Sequence, residues 1–213
     1  SAHRAATFLN DLPTAAGARA SIREEIARNV GRMNVRQGVE ACMSRRLDEL
    51  DGLIAASAAG RLPQDVLWIG TPTALDLFDS TYKAAMQSGT VSLFDYNEQK
   101  SYTDLYAAFE EIKLAAREEV HSWGDLRTLE KHPSPSPTLD WQLRSAMQLA
   151  RIARYKIANL QYWVTLNSAA IGITPIAVAR GIRLAPSCVP LRTPRDEAVK
   201  LIEEAMGRQL PQP

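Results

Sequence analysis

Histidine and cysteine are scarce in this chain, three and two in 213 residues. A zinc centre draws three or four ligands from the protein, so three histidines scattered at positions 3, 121 and 132 leave little to build one from. Two cysteines exclude a disulfide-dense mini-protein. Neither sign of charge dominates: 25 Lys+Arg stand against 24 Asp+Glu, a net +1 that argues against a dedicated nucleic-acid binder. There is no Gly-x-Ser-x-Gly elbow and no glycine-rich phosphate cradle, so no catalytic residue and no cofactor is expected. Long apolar runs are missing too. Ile157 to Ala179 is 23 residues without a formal charge, about a bilayer's length. Asn159, Gln161, Thr165 and Asn167 lie within it, and Gly172 and Pro175 interrupt it, which fits a buried helix end and a turn. Alternation of β-branched residues never exceeds about four positions, too short for a convincing strand.

What remains is helical periodicity. Asp11-Leu-Pro-Thr14 predicts a boundary, followed by one long helix over about 15–59 that ends near Gly60 and Pro63. Thr71-Pro72 has the chemistry of a cap and first turn and predicts a helix to Ser88-Gly89. Another helix is expected from about Tyr96 to Leu129. His132-Pro-Ser-Pro-Ser-Pro-Thr138 reads as a proline-rich linker, with Thr138 or Asp140 capping a helix to about Ile171. A short helical piece from Thr174-Pro175 towards Arg183, an irregular tail over 184–194 and a last helix over about 195–208 complete the chain. The expectation is an all-α, single-domain antiparallel bundle of four main helices, one long and N-terminal, with short C-terminal helices and a proline-rich tail.

The seam of the long helix is apolar at both ends and polar in the middle, where Asn29, Arg36 and Glu40 fall at core positions. They are candidate ligand-binding residues in a polar cavity, with Arg36 suited to a carboxylate or phosphate. The bland alternative pairs Arg36 with Glu40 one turn away, or shifts the seam to Val35, Val39 and Cys42. Glu118, His121 and Asp125 are the metal candidates, because Glu-x-x-His on a helix is half of a di-iron carboxylate site, but a second half is missing.

Between Trp141 and Arg195 there is no acidic residue and there are eight basic ones, Arg151 and Arg154 among them. The region 95–131 holds nine acids against five bases. Either an acidic helix screens a basic one, or the basic region faces an anionic small ligand or partner. The aromatics of that helix (Trp141, Tyr155, Tyr162, Trp163) read as core or interface.

Cys188 lies in a tail too proline-rich to hold itself by backbone bonding, so a bridge to Cys42 would pin it. Such a bridge closes about 146 residues, contributes about 4 to 5 kcal/mol in the chain-entropy account, and implies an oxidising compartment. Glu25-Ile-Ala-Arg-Asn29, Cys42, Trp68, Tyr82-Lys-Ala-Ala-Met-Gln-Ser-Gly89, Leu93 and Leu105-Tyr106 resemble a group of poorly characterised bacterial proteins with an N-terminal transmembrane anchor and a helical extracytoplasmic domain. The resemblance implies a domain at the periplasmic face of the inner membrane, tethered by an anchor outside this chain. The start at Ser1 without Met agrees with a trimmed end. The leading expectation is therefore a sensor or protein-interaction domain with a protein partner or a second copy. A cytoplasmic scaffold or anion-binding bundle, and a metalloenzyme or hydrolase around His121, are the alternatives. Intact mass after alkylation tests the bridge: two alkyl groups are expected only after reduction, and two without it would remove the argument for an oxidising address.

Overall fold

In the computed structural model, residues 2–66, 68–177 and 185–207 are described, the side chains of 2–13 and 206–207 excepted. Six α-helices form the fold: α1 (Ala2–Gln37), α2 (Glu40–Ala58), α3 (Ser80–Gln87), α4 (Tyr96–Leu126), α5 (Pro137–Ala170) and α6 (Arg195–Gly207). Short 3-10 turns occupy Thr90–Leu93, Arg127–Lys131 and Pro186–Cys188. Among the described residues there is no strand. The all-helical bundle read from the sequence is the fold.

Pairing between helices gives their directions. Arg19 reaches Glu98, Glu25 accepts from Tyr106, and Arg36 meets Glu119, so α1 and α4 run parallel. On the other side, Glu40 pairs with Arg154 and Asp48 with Arg151, so α5 runs antiparallel to α2. It is antiparallel to α4 as well, because the end of α4 (Trp123, Leu126) packs with the start of α5 (Leu143, Ala146, Met147). Parallel neighbours need a long return connection. Residues 59–95 supply it.

Four boundaries differ from expectation. First, α1 runs through Pro13 instead of starting after it; proline lacks an N–H, so that turn has one ladder bond fewer. Second, the long helix is two. It breaks at Gly38–Val39, where the Gly38 N–H bonds to Asn34 O and the Val39 N–H to Arg36 O. A Cβ on Gly38 would stand 3.3 Å from Val35 O. The break lets Arg36 and Val39 both turn inward, so a change of helix takes the place of a stutter in the repeat.

Third, no helix starts at Thr71-Pro72. Residues 71–79 form a non-helical strap with inward Thr73, Leu75 and Leu77 alternating with outward Ala74, Asp76 and Phe78. Side chains from α1 take the strap's backbone groups. Asn29 donates to Phe78 O at 2.7 Å and accepts from the Phe78 N–H at 2.9 Å. Arg32 donates to Asp76 O at 3.2 Å and Arg36 to Thr73 O at 2.9 Å. The Glu25 carboxylate accepts from the N–H groups of Thr81 (2.9 Å) and Tyr82 (3.3 Å), and so caps α3 from another helix. Positions 25, 29, 32 and 36 follow helical spacing along one side of α1.

Fourth, Ser136 rather than Thr138 or Asp140 caps α5, accepting from the Leu139 N–H at 3.1 Å with Pro137 in the first turn. The linker is thus only a loop over 132–136. Residues 173–177 are not helical, and the remainder of the piece expected towards Arg183 lies outside the described residues.

The tail is held against α2. Cys42 and Cys188 stand at disulfide distance, with sulfurs 2.16 Å apart and Cα atoms 5.0 Å apart. Buried Arg46 donates to the carbonyls of Trp68 (3.0 Å), Ile69 and Val189, joining the start of the return segment to the tail. Trp68 Nε1 donates to Pro186 O at 2.8 Å. Gly70 lies beneath this contact at φ 82°, where a Cβ would fall 2.6 Å from Pro186 O. Replacing the fully buried Asn29 by Ala would leave the part-buried Phe78 N–H and C=O without their partner. A loss of about 2 to 4 kcal/mol is expected in urea unfolding. Asn29→Asp should lose at least as much, because a carboxylate keeps the acceptor and repels the Phe78 carbonyl.

Candidate functional site

The ligand-binding candidates of the sequence all have partners within the protein. Asn29 and Arg36 hold the strap. Arg36 is 1% exposed, and its Nη2 also donates to the fully buried Glu119 at 2.7 Å. Burial pushes the Glu119 carboxyl above the usual range, while the Arg36 charge and hydrogen bond pull against it. Glu40 pairs with Arg154, not with Arg36. Arg151 lies between Asp48 (3.2 Å) and Asp51 (3.6 Å). Lys156 pairs with Glu111 and Arg144 with Asp140. These cations of α5 are therefore paired within the chain, Lys156 with the acidic α4, Arg151 and Arg154 with α2, and Arg144 with Asp140 of α5 itself. His121 is 82% exposed and 3.9 Å from exposed Asp125, and among the described residues no three His, Cys, Asp or Glu side chains gather as metal ligands. Among those residues no helix is long and apolar enough to cross a membrane.

What α5 leaves outside is the distinctive surface. Its inner side buries Leu143, Ala146, Met147, Ala150, Ala153, Ile157 and Val164. Its outer side exposes Trp141 (69%), Ile152 (53%), Tyr155 (71%) and Tyr162 (69%), joined by Leu149, Trp163 and Leu166. Trp141, Ile152 and Trp163 are spaced by 11 residues, three turns of helix, so they stand almost in line. Tyr155 and Leu166 repeat that spacing beside them. The stripe extends about 37 Å at the α-helical rise. Trp and Tyr carry large apolar area with a polar handle, the composition of contact surfaces.

An acidic ridge of α4 flanks it. Glu111, Glu118 and Asp125 are exposed at positions 111, 118 and 125, a seven-residue repeat on one helix face, with Leu114 between. The Lys156–Glu111 pair at 2.6 Å ties that ridge to α5. At the amino-terminal end of α5 the two helices enclose a hollow of about 260 Å³ lined by Asp125, Thr128, Trp141, Ser145 and Leu149. A second groove, of about 910 Å³, lies along the strap between Arg32, Phe78, Glu110 and Arg117. There Asp79 is held well below the usual carboxylate range, by a hydrogen bond with Glu110 and then by those of Lys113 and Lys83.

Sequence reasoning passed over Glu25, Arg46 and Glu119. Glu25 and Glu119 complete the α1 row, and Arg46 does the same work on α2. The signal for Glu25 and Arg46 was a charge at a buried helical position. For Glu119 it was an acid among apolar residues at helical spacing (Ile112, Ala115, Trp123, Leu126). No protein family matches this chain, and no curated protein or solved structure is significantly similar to it. The resemblance drawn from short motifs gains no support there.

Two predictions come from the buried and half-buried charges. Arg36→Met should cost about 3 to 5 kcal/mol at neutral pH, because it leaves Glu119 charged and unpaired in the core. A carboxyl whose folded pKa is raised becomes costlier to bury as pH climbs through that value. The deficit of Arg36→Met should therefore narrow on acidification towards pH 4.5, as read from urea midpoints across pH. The deficit of Asp79→Asn should also narrow on acidification, but in a lower pH window, because the Asp79 shift has the opposite sign. A depressed carboxyl stabilises the fold above its ordinary value of 3.8 and loses that stabilisation as pH falls through the depressed one. The gap between wild type and Asp79→Asn should be full at pH 6 and shrink below pH 4. A gap that is constant with pH would remove the ion-pair account.

Proposed function

We propose that this chain is an extracytoplasmic helical-bundle domain of a membrane-tethered bacterial protein, and that it works as a protein-interaction or sensor module through the outer face of α5. The observation that carries the interaction is the exposed Trp141–Leu166 stripe on a helix whose other side is fully packed. Scattered surface apolar residues need no explanation, whereas an aligned stripe of Trp, Tyr, Ile and Leu marks a contact surface. The address is supported by the Cys42–Cys188 pair at disulfide distance, since such bridges persist in oxidising compartments. The packing supports a rigid presenter: the inner side of α5 is buried along its length, and ion pairs at Arg151, Arg154 and Lys156 join it to α2 and α4 at the surface.

An anion-binding bundle keeps one observation in its favour. Arg195 lies with Arg127 and Lys131 around a cavity of about 510 Å³, although the cations of α5 that were to serve it are paired within the chain.

A photo-reactive residue at position 152, compared with one at exposed Met86 on α3, tests the interaction reading in the native host. Discrete cross-linked adducts are expected from position 152 and not from 86. Equal patterns from the two sites, or none from either, would overturn the reading.

A further inference from the structure

The partner that the interaction reading calls for can be specified from shape and charge. We propose that the groove between the acidic ridge of α4 and the aromatic stripe of α5 docks a positively charged amphipathic helix of a partner protein, and this proposal rests on the interaction reading above. The stripe is about 37 Å long and one helix wide, about 10 Å, or roughly 370 Å². That is less than half of the roughly 800 Å² per partner of a standard interface between folded proteins. A single helix of about seven turns fits it, and a second folded copy does not.

Charge selects among helices. Glu111, Glu118 and Asp125 are exposed along the neighbouring α4, Asp125 lines the hollow beside Trp141, and Lys156 offsets one of them through Glu111. A basic edge on the incoming helix meets this ridge, and an acidic one is repelled. The same ridge sets the surface against an anionic bilayer. The 260 Å³ hollow beside Trp141 ends at Asp125, so a lysine or arginine stem of the partner can lie along the indole with its charge at the carboxylate. The partner's sign is thus opposite to the one that the acid-free sequence of α5 suggests, because the neighbouring helix supplies the field.

Two synthetic helical peptides of 25 residues with one apolar stripe, one Leu/Lys and one Leu/Glu, are titrated into the whole disulfide-bonded chain by calorimetry. The Leu/Lys peptide should bind at least about tenfold more tightly, and its affinity should fall with salt. Ile152→Asp, on the exposed stripe, should weaken it at least about tenfold, while Met86→Asp should leave it unchanged. The double change Glu118→Lys and Asp125→Lys should reverse the preference. Equal affinity for both peptides, binding of neither, or binding indifferent to Ile152→Asp would overturn the proposal. So would a dimer in sedimentation that Ile152→Asp dissolves, which assigns the face to a second copy. Attachment to phosphatidylglycerol vesicles that Ile152→Asp abolishes would instead assign it to a lipid surface. Adducts at position 152 without peptide preference would remove only the basic helix; loss of both would remove the interaction reading too.

Discussion

The fold depends on one constraint: backbone groups buried outside a helix must find partners. Parallel α1 and α4 force a return segment over the body of the bundle, and its strap carries inward-facing N–H and C=O groups that no strand satisfies. Side chains of α1 do so instead. Asn29 takes a donor and an acceptor of one residue, Arg32 and Arg36 take carbonyls, and Glu25 takes the free N–H groups that begin α3. The row acts as a ladder rung by rung, made of side chains where a sheet would use backbone. Arg46 repeats the device on α2, where one guanidinium joins the carbonyls of two segments that are far apart in sequence.

This arrangement explains how charge is buried here. A guanidinium holds several donors in a fixed fork, so it can serve a strap carbonyl and Glu119 together. Breaking such a set costs more than forming it gains, because the loss leaves a dry carbonyl or carboxylate behind. Tyr106 is drawn into the same network: its hydroxyl donates to Glu25 at 2.6 Å, and burial followed by the Glu25 carboxylate pushes its pKa well above the ordinary tyrosine range. Its ring stacks on Tyr82 at 4.1 Å, which fixes α3 against α4.

Helix content, the end of α5 at Gly172, the position of the last helix and the cysteine pairing were legible in the sequence, because each rests on local pattern or on chain constraint. The strap was not. Thr71-Pro72 satisfies every local rule for starting a helix, and only the tertiary claim of Asn29, Arg32 and Arg36 on the following carbonyls rules it out. Its period-two alternation from Thr73 to Phe78 was present, but Ala74 and Leu75 disguised it as helical composition. The break at Gly38 was equally hidden, since a glycine inside a helix is tolerated at a cost of about 1 kcal/mol and signals a break only in context. For the candidate site, residue types were legible and roles were not. Asn29 and Arg36 stood out as polar seam positions, and within the fold they meet the strap's backbone and, for Arg36, the Glu119 carboxylate.

Exposure was the quantity that sequence could least supply for α5. A helix with apolar residues on two sides reads as buried all round. Here the inner side is alanine-rich (Ala146, Ala150, Ala153), which brings α5 close to its neighbours, and the aromatics are turned outward. Three alanines among the inner residues and four aromatics on the outer side run against the usual arrangement of a surface helix. Core packing alone would favour the reverse, since burying Trp141 or Tyr155 would stabilise the fold by more than burying alanine does. Placing that area outside leaves it available to a second surface, whose contact would realise the hydrophobic free energy that the fold itself forgoes.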